Sequence, residues 1–201
     1  MIGAADERVR ALRALFKWGK LKRKDIVTVN LAQDVAYLNK KSEGHHTWTP
    51  EEFEQYEQHH SIGTKARLAL DLIQYLGVSR TDVVKIGPRN ISERLNKRGE
   101  PVKVFSYQRQ KTKIDGTIGM APALLASITA CPMVGSSTFL VNDYGRPFTV
   151  GGFRNRLKKW VREAGLPEHC SAHGIRKAAA VRAAENGATP MNKWRCLPGS
   201  R

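Results

Sequence analysis

The chain has 201 residues, 41% of them hydrophobic, with 34 Lys and Arg against 18 Asp and Glu and a formal net charge of +16. That is enough apolar material for one core plus a small appendage, which excludes wholesale disorder. The charge asks for a polyanionic partner, nucleic acid ahead of an anionic membrane surface, because no run approaches the roughly 20 apolar residues of a membrane span.

Met1 to Glu7 shows neither the charged nor the apolar region of a signal peptide. Residues 5–18 read as a helix with Val9, Leu12, Leu15 and Phe16 toward one face. Gly19 and the basic cluster Lys20-Leu21-Lys22-Arg23-Lys24 are expected to break it. Residues 25–41 read as an irregular connecting arm, docked by Val35, Tyr37 and Leu38. His45-His46 and His59-His60 lack partners at metal-ligand spacing. They read as solvated positions flanking an acidic helix, and neither a metal nor a cofactor is expected.

Thr49-Pro50-Glu51-Glu52 is a helix start: Thr49 caps, Pro50 suits the first helical position, and Glu52 completes a capping box. This helix carries Phe53 and Tyr56, and its exposed side is acidic. Thr64 caps a second helix over 65–76, with Ala66, Leu68, Ala69, Leu72, Ile73 and Tyr75 largely buried. A short helix is expected over 80–86. Between residues 97 and 120 the pattern turns to short strands, Val102 to Tyr107 and Thr117 to Met120, around a turn at 111–116. Residues 122–129 read as helix, and Phe139-Leu140-Val141 as a short strand before the turn Asn142-Asp143-Tyr144-Gly145.

Thr149 caps a helix over 152–164 whose apolar face is Phe153, Leu157, Trp160, Val161 and Ala164. Its opposite face offers Arg154, Lys158, Lys159 and Arg162, and Gly165 ends it. The last helix runs over 173–186 and opens with His173-Gly174-Ile175-Arg176-Lys177. A His-x-x-Arg on one helical turn lets the imidazole move protons while the guanidinium holds a phosphate oxygen. From Arg146 to Arg182 there are nine Lys or Arg against two acids, an excess that reads as DNA contact. Cys131, Cys170 and Cys196 are odd in number and far apart, which fits reduced thiols in the cytoplasm.

Three segments, in order, carry a resemblance: Leu76-Gly77-Val78-Ser79-Arg80-Thr81-Asp82-Val83-Val84, Gln110-Lys111-Thr112-Lys113, and His173-Gly174-Ile175-Arg176. Together they resemble the catalytic domain of tyrosine recombinases, the phage-integrase family, over roughly residues 47–187. The resemblance implies a mainly α domain with a small antiparallel β-sheet of about three strands. Residues 1–40 would be the last helix and linker of the core-binding domain, 41–187 the catalytic domain, and 188–201 an irregular tail.

In that family a tyrosine attacks a phosphodiester and is held as a 3′-phosphotyrosine, with no metal or nucleotide required. By resemblance, Lys111 protonates the leaving 5′-oxygen, with Lys113 its competitor in the same turn. His173 is the general acid/base and Arg176 a phosphate clamp. Arg80, Lys113, Arg154, Lys158, Lys159, Arg162 and Lys177 would contact double-stranded DNA.

Two departures from the pattern bear on activity. Ser79 stands where the family's first arginine is expected, three residues before Asp82, and a serine has no charged fork. Arg80 is adjacent, but one helical step rotates a side chain by about 100°, so it is expected to point elsewhere. The Gly-His box and the nucleophile are missing as well: all five tyrosines precede His173, and the sequence ends 25 residues after Arg176.

The resemblance therefore implies a truncated, degenerate recombinase-type DNA-binding protein, inactive as this chain, associated with the nucleoid in the cytoplasm. No small-molecule substrate and no membrane are expected, and a full-length recombinase protomer is a candidate partner. The alternatives are an enzyme completed in trans, a regulatory fragment that blocks a full-length relative, and a relic whose last residues follow a frameshift. Missing helices beyond the last one would expose apolar surface on residues 173–186 and lower solubility.

Overall fold

The computed structural model describes residues 2–23, 25–38, 44–96, 98–108, 115–132, 134–185 and 187. The expectations for Lys111, Lys113 and the tail 188–201 lie outside the described residues. The chain divides into two compact units, Met1–Gly44 and His45–Arg201.

The first unit holds α1 (Ile2–Lys22) and a returning arm. Gly19 does not break the helix. It is buried, and a Cβ there would lie 2.9 Å from Val27 Cγ2, so the missing side chain is what lets the arm pass close. The arm is held by polar contacts rather than by the expected apolar ones. Arg13 donates to the Ala32 and Val35 carbonyls at 2.9 and 2.8 Å, and the Leu38 amide donates to Asp6 at 2.8 Å. The Tyr37 ring lies 4.5 Å from the Arg13 guanidinium, while Val35 and Leu38 themselves stay exposed.

The second unit begins with α2 (Pro50–His59), where the capping box forms as its residues dictate. Glu52 N–H donates to Thr49 Oγ1, and Thr49 N–H donates to the Glu52 carboxylate. Helix α3 (Lys65–Leu76) is capped by Thr64 and buried on nearly every side. Leu68, Leu70, Leu72 and Ile73 are wholly inaccessible, and each contributes about 1.5–3 kcal/mol by leaving water. Tyr75, expected inside, is 36% exposed, whereas Leu70 and Asp71 are buried in its place. A central helix has no single apolar stripe, so periodicity misassigns its sides. Arg67 compensates the buried Asp71 at 3.2 Å.

Helix α3 packs against α4 (Arg80–Val83), α5 (Pro122–Ala130) and α7 (Ala172–Glu185). Helix α4 is shorter than expected and packs on α6 (Val150–Glu163). The sheet is antiparallel in the order β1 (Ile91–Leu95), β2 (Pro101–Gln108), β3 (Asp115–Gly119), with Ile91 opposite Phe105 and Phe105 opposite Ile118. Strand β1 has no alternating apolar pattern because it is an exposed edge, and it was illegible for that reason. Phe139, Leu140 and Val141 are buried, yet they form no strand: a single bridge joins Val141 to Pro147. Thus the described residues form a mainly α structure with one small antiparallel sheet, the class the motif order implied.

Candidate functional site

The N-terminus of α4, one face of α6 and the first turn of α7 enclose a cleft of about 360 Å³. Ser79, Arg80 and Thr81 come from the first; Arg154, Leu157 and Lys158 from the second; and Ser171, Ala172, His173 and Arg176 from the third. His45, Glu168 and Cys170 complete the lining. The expected site residues Ser79, Arg80, Arg154, Lys158, His173 and Arg176 therefore meet in one place.

Local packing explains how α7 presents its motif. Ser171 Oγ accepts from the Gly174 amide at 3.4 Å and opens the helix. Ile175 is fully buried, which turns His173 and Arg176 toward the cleft on either side of it. Gly174 crosses the segment before α2 so closely that a Cβ would sit 2.4 Å from the His46 carbonyl oxygen and 2.7 Å from Trp48 Cδ1. No other residue fits that crossing without displacing backbone. Arg176 Nε donates to the Gly77 carbonyl at 2.8 Å, which ties the third motif to the first. Gly77 is the left-handed cap that ends α3, so this carbonyl is presented by the turn itself.

Ser79 is the N-cap of α4, with its hydroxyl 2.7 Å from Asp82 Oδ2 and accepting the Asp82 amide at 3.2 Å. Asp82 is 7% exposed, and its Oδ1 has no hydrogen-bond partner among the described residues. The expectation that Arg80 points away does not hold: it lines the same cleft as Ser79. The 100° argument assumed two helical residues, whereas Ser79 is an extended cap residue and Arg80 the first residue of the helix.

His173 stacks on His45 with ring centroids 4.5 Å apart. Partial burial, then His45, Arg176 and Lys177, hold its pKa below the ordinary value of 6.5. Its neutral form is thus favoured near pH 7, where it can accept a proton. Lys177 donates to the His45 carbonyl at 3.2 Å, beside the cleft and not within its lining. Lys159 lies away from it and pairs with Glu163 at 3.7 Å. Arg162 reaches the Lys158 carbonyl at 3.4 Å and lines a small adjoining pocket. Lys111 and Lys113 lie outside the described residues.

The histidine pairs differ from expectation. His60 is buried, 2.9 Å from the Trp160 carbonyl, and burial lowers its pKa. His46 has partners after all: it lies with Glu52, His169 and Cys170, their ligand atoms all within 4.8 Å of one another. No local spacing could reveal this, since two of the four residues come from the far end of the chain. Burial would raise the Glu52 carboxyl, but hydrogen bonds from His46, Thr49 and Cys170 hold it below its ordinary pKa. Burial, with Glu52 beside it, pushes the Cys170 thiol up to about 12.

No family model and no curated protein matches the sequence. Solved structures do. A lambda integrase dimer bound to a COC′ core site matches with TM-score 0.69 at 15% identity over 92% of this chain and 53% of that one. The Tn1549 transposon integrase in complex with circular intermediate DNA matches with TM-score 0.65 at 14% identity over 96% and 70%. XerA recombinase matches with TM-score 0.59 at 14% identity over 77% and 57%. This chain spans about half the length of that lambda integrase chain. At such identities the likeness is one of fold, the fold that these integrases and XerA recombinase share.

Proposed function

We propose that this chain is a recombinase-type protein that holds double-stranded DNA by its phosphates in the cleft and does not cut it unaided. The observation that carries the reading is the convergence of Arg80, Arg154, Lys158 and Arg176 in one cleft with His173, from three separate segments. One acid, Glu168, is among them. Guanidinium forks suit phosphate oxygens, and such contacts position a duplex without reading its sequence. The fold neighbours, which include DNA-bound integrases, support the same partner. The location that follows is the nucleoid.

Strand cleavage of the family kind needs a tyrosine at the phosphate, and no tyrosine lines the cleft. Tyr56 and Tyr107 are buried in the core, Tyr75 lines another groove, and Tyr144 is 88% exposed on a turn. Tyr37 belongs to the other compact unit, and on this reading the nucleophile is supplied by a full-length protomer. Ser79 in place of a first arginine removes one charge-stabilising donor, a loss that typically costs about 100- to 1000-fold in rate. Mixed assembly with a full-length relative then either completes the site or blocks it.

Binding to a fluorescent 30-base-pair duplex across a salt series tests the reading. Four neutralised phosphates give a log–log slope of about −3.6. A flat response overturns it. A covalent protein–DNA adduct formed by the chain alone overturns the second half of the reading.

A further inference from the structure

We propose that His46, Glu52, His169 and Cys170 form a structural zinc site that pins the loop before α7 to the start of α2. The four side chains come from three segments, and their ligand atoms lie within 4.8 Å of one another. Tetrahedral zinc, with bonds of about 2.0–2.3 Å, places its ligands about 3.3–3.8 Å apart. Cys170 Sγ is already 3.3 Å and His169 Nε2 3.8 Å from Glu52 Oε1, and His46 Nε2 is 2.8 Å from Oε2. No two of these ligand atoms are more than 4.8 Å apart, so the separations differ from the tetrahedral edge by about 1.5 Å at most.

The chemistry selects the ion. Two imidazole nitrogens, one sulfur and one carboxylate oxygen suit zinc, whereas calcium and magnesium take oxygen sets. On binding, the Cys170 thiol gives its proton to solvent and becomes thiolate. Thiolate and carboxylate then carry two negative charges against the two of the ion, so the site ends neutral on its buried side. Cys170 is 2% exposed, and the Glu52 side chain 15%.

The supporting shell is already built. Glu52 Oε2 accepts the Thr49 amide at 2.8 Å as part of the capping box, which aims Oε1 at Cys170 and His169. Supporting hydrogen bonds of this kind orient metal ligands. A plain hydrogen-bond network accounts for His46, Glu52 and Cys170 but not for His169. At 3.8 Å its nitrogen is beyond hydrogen-bond distance from Glu52, yet its ring packs edge-on against His46 at 4.3 Å. The consequence reaches the cleft, since Cys170 and the Ser171–His173 start of α7 form one of its walls.

The test uses the full chain, free of any affinity tag and stripped of metal. Expected results are one Zn²⁺ bound per chain, a raised Tm on binding, and a Co²⁺ derivative with both tetrahedral visible bands and a thiolate charge-transfer band. His169→Ala and Cys170→Ser should each weaken Zn²⁺ binding by more than about 100-fold, because losing a mere supporting partner already costs about 10- to 100-fold. Cys131→Ala, at the other cysteine buried among the described residues, should leave binding unchanged. His169 is 56% exposed, so its variant keeps the fold even where Cys170→Ser does not. A Co²⁺ derivative without the thiolate band, or Zn²⁺ affinity unchanged in His169→Ala, overturns the proposal.

Discussion

Helix α7 faces two grooves of opposite character. Its first turn supplies His173 and Arg176 to the cleft, where Arg80, Arg154 and Lys158 face one acid, Glu168. Its last turns supply Ala178, Val181, Arg182 and Glu185 to a groove of about 490 Å³ with Trp48, Phe53 and Tyr75. There Glu54, Glu57 and Glu185 outnumber Arg182, whose guanidinium lies over the Phe53 ring at 4.7 Å. A net charge of +16 says only that cations are in excess. The fold sorts them, so that cations dominate the lining at one end of the helix and acids at the other. Of the larger apolar side chains on the last helix, Val181 is 45% exposed while Ile175 is wholly buried, and Ala184 is exposed beside it.

The harshest way to break this comparison is to remove what both grooves share. Gly174→Val places a branched side chain against the His46 carbonyl and Trp48, and should cost about 3 kcal/mol or more. Denaturant unfolding reads this directly, and DNA binding should fall with it. An unchanged midpoint would mean that the crossing relaxes freely and does not position the motif.

A second experiment separates the grooves. Arg80→Glu combined with Lys158→Glu should make the salt slope of DNA binding shallower by about 1.8. Glu54→Gln with Glu185→Gln, in the other groove, should leave it unchanged. Equal effects from both pairs would show that charge acts globally, and the distinction between the grooves would be lost.

Ser79→Arg sharpens the contrast. The new guanidinium would meet the unpartnered Asp82 Oδ1 and add a cation to the cleft wall. The salt slope should steepen by about 0.9. Losing the Ser79 cap should cost about 1 kcal/mol of stability. A slope equal to that of the unmodified chain would show that position 79 does not address phosphate.

The smallest effect is one of pH. His60 and His173 both have folded-state pKa values below the ordinary 6.5. The stability each contributes is present above the unfolded value and is lost as pH falls through it and on through the folded one. Tm should therefore drop between pH 7.5 and 5.5. His173→Gln should remove only part of the drop, because His60 is the more deeply buried of the two. A drop that vanishes entirely in His173→Gln would assign the whole effect to the cleft.

Much of the site was legible because its signals are local. The Thr49, Thr64 and Thr149 caps, the Ser79–Asp82 spacing and the His173–Arg176 turn each operate within about four residues, the range of helix geometry and capping. The same local reading failed where a neighbour from elsewhere intervenes. Gly19 looked like a helix breaker because Val27 packs on it only after the arm folds back. Arg80 defies the helical-rotation rule because a cap residue and a helical residue look alike in one dimension. Tyr75 and Asp71 exchanged places because α3 is surrounded on nearly every side.

The amino-acid order alone thus dictates where the capped helices start, a basic surface, and an ordered set of residues suited to phosphate. Those properties follow from backbone capping, side-chain periodicity and charge, all of which are additive along the chain. Only the tertiary structure decided that Arg80, Arg154, Lys158, His173 and Arg176 share one cleft, and that His46 and Glu52 meet His169 and Cys170. Those meetings span about a hundred residues, and they are framed by the burial of α3 and Ile175, beyond the reach of any local spacing.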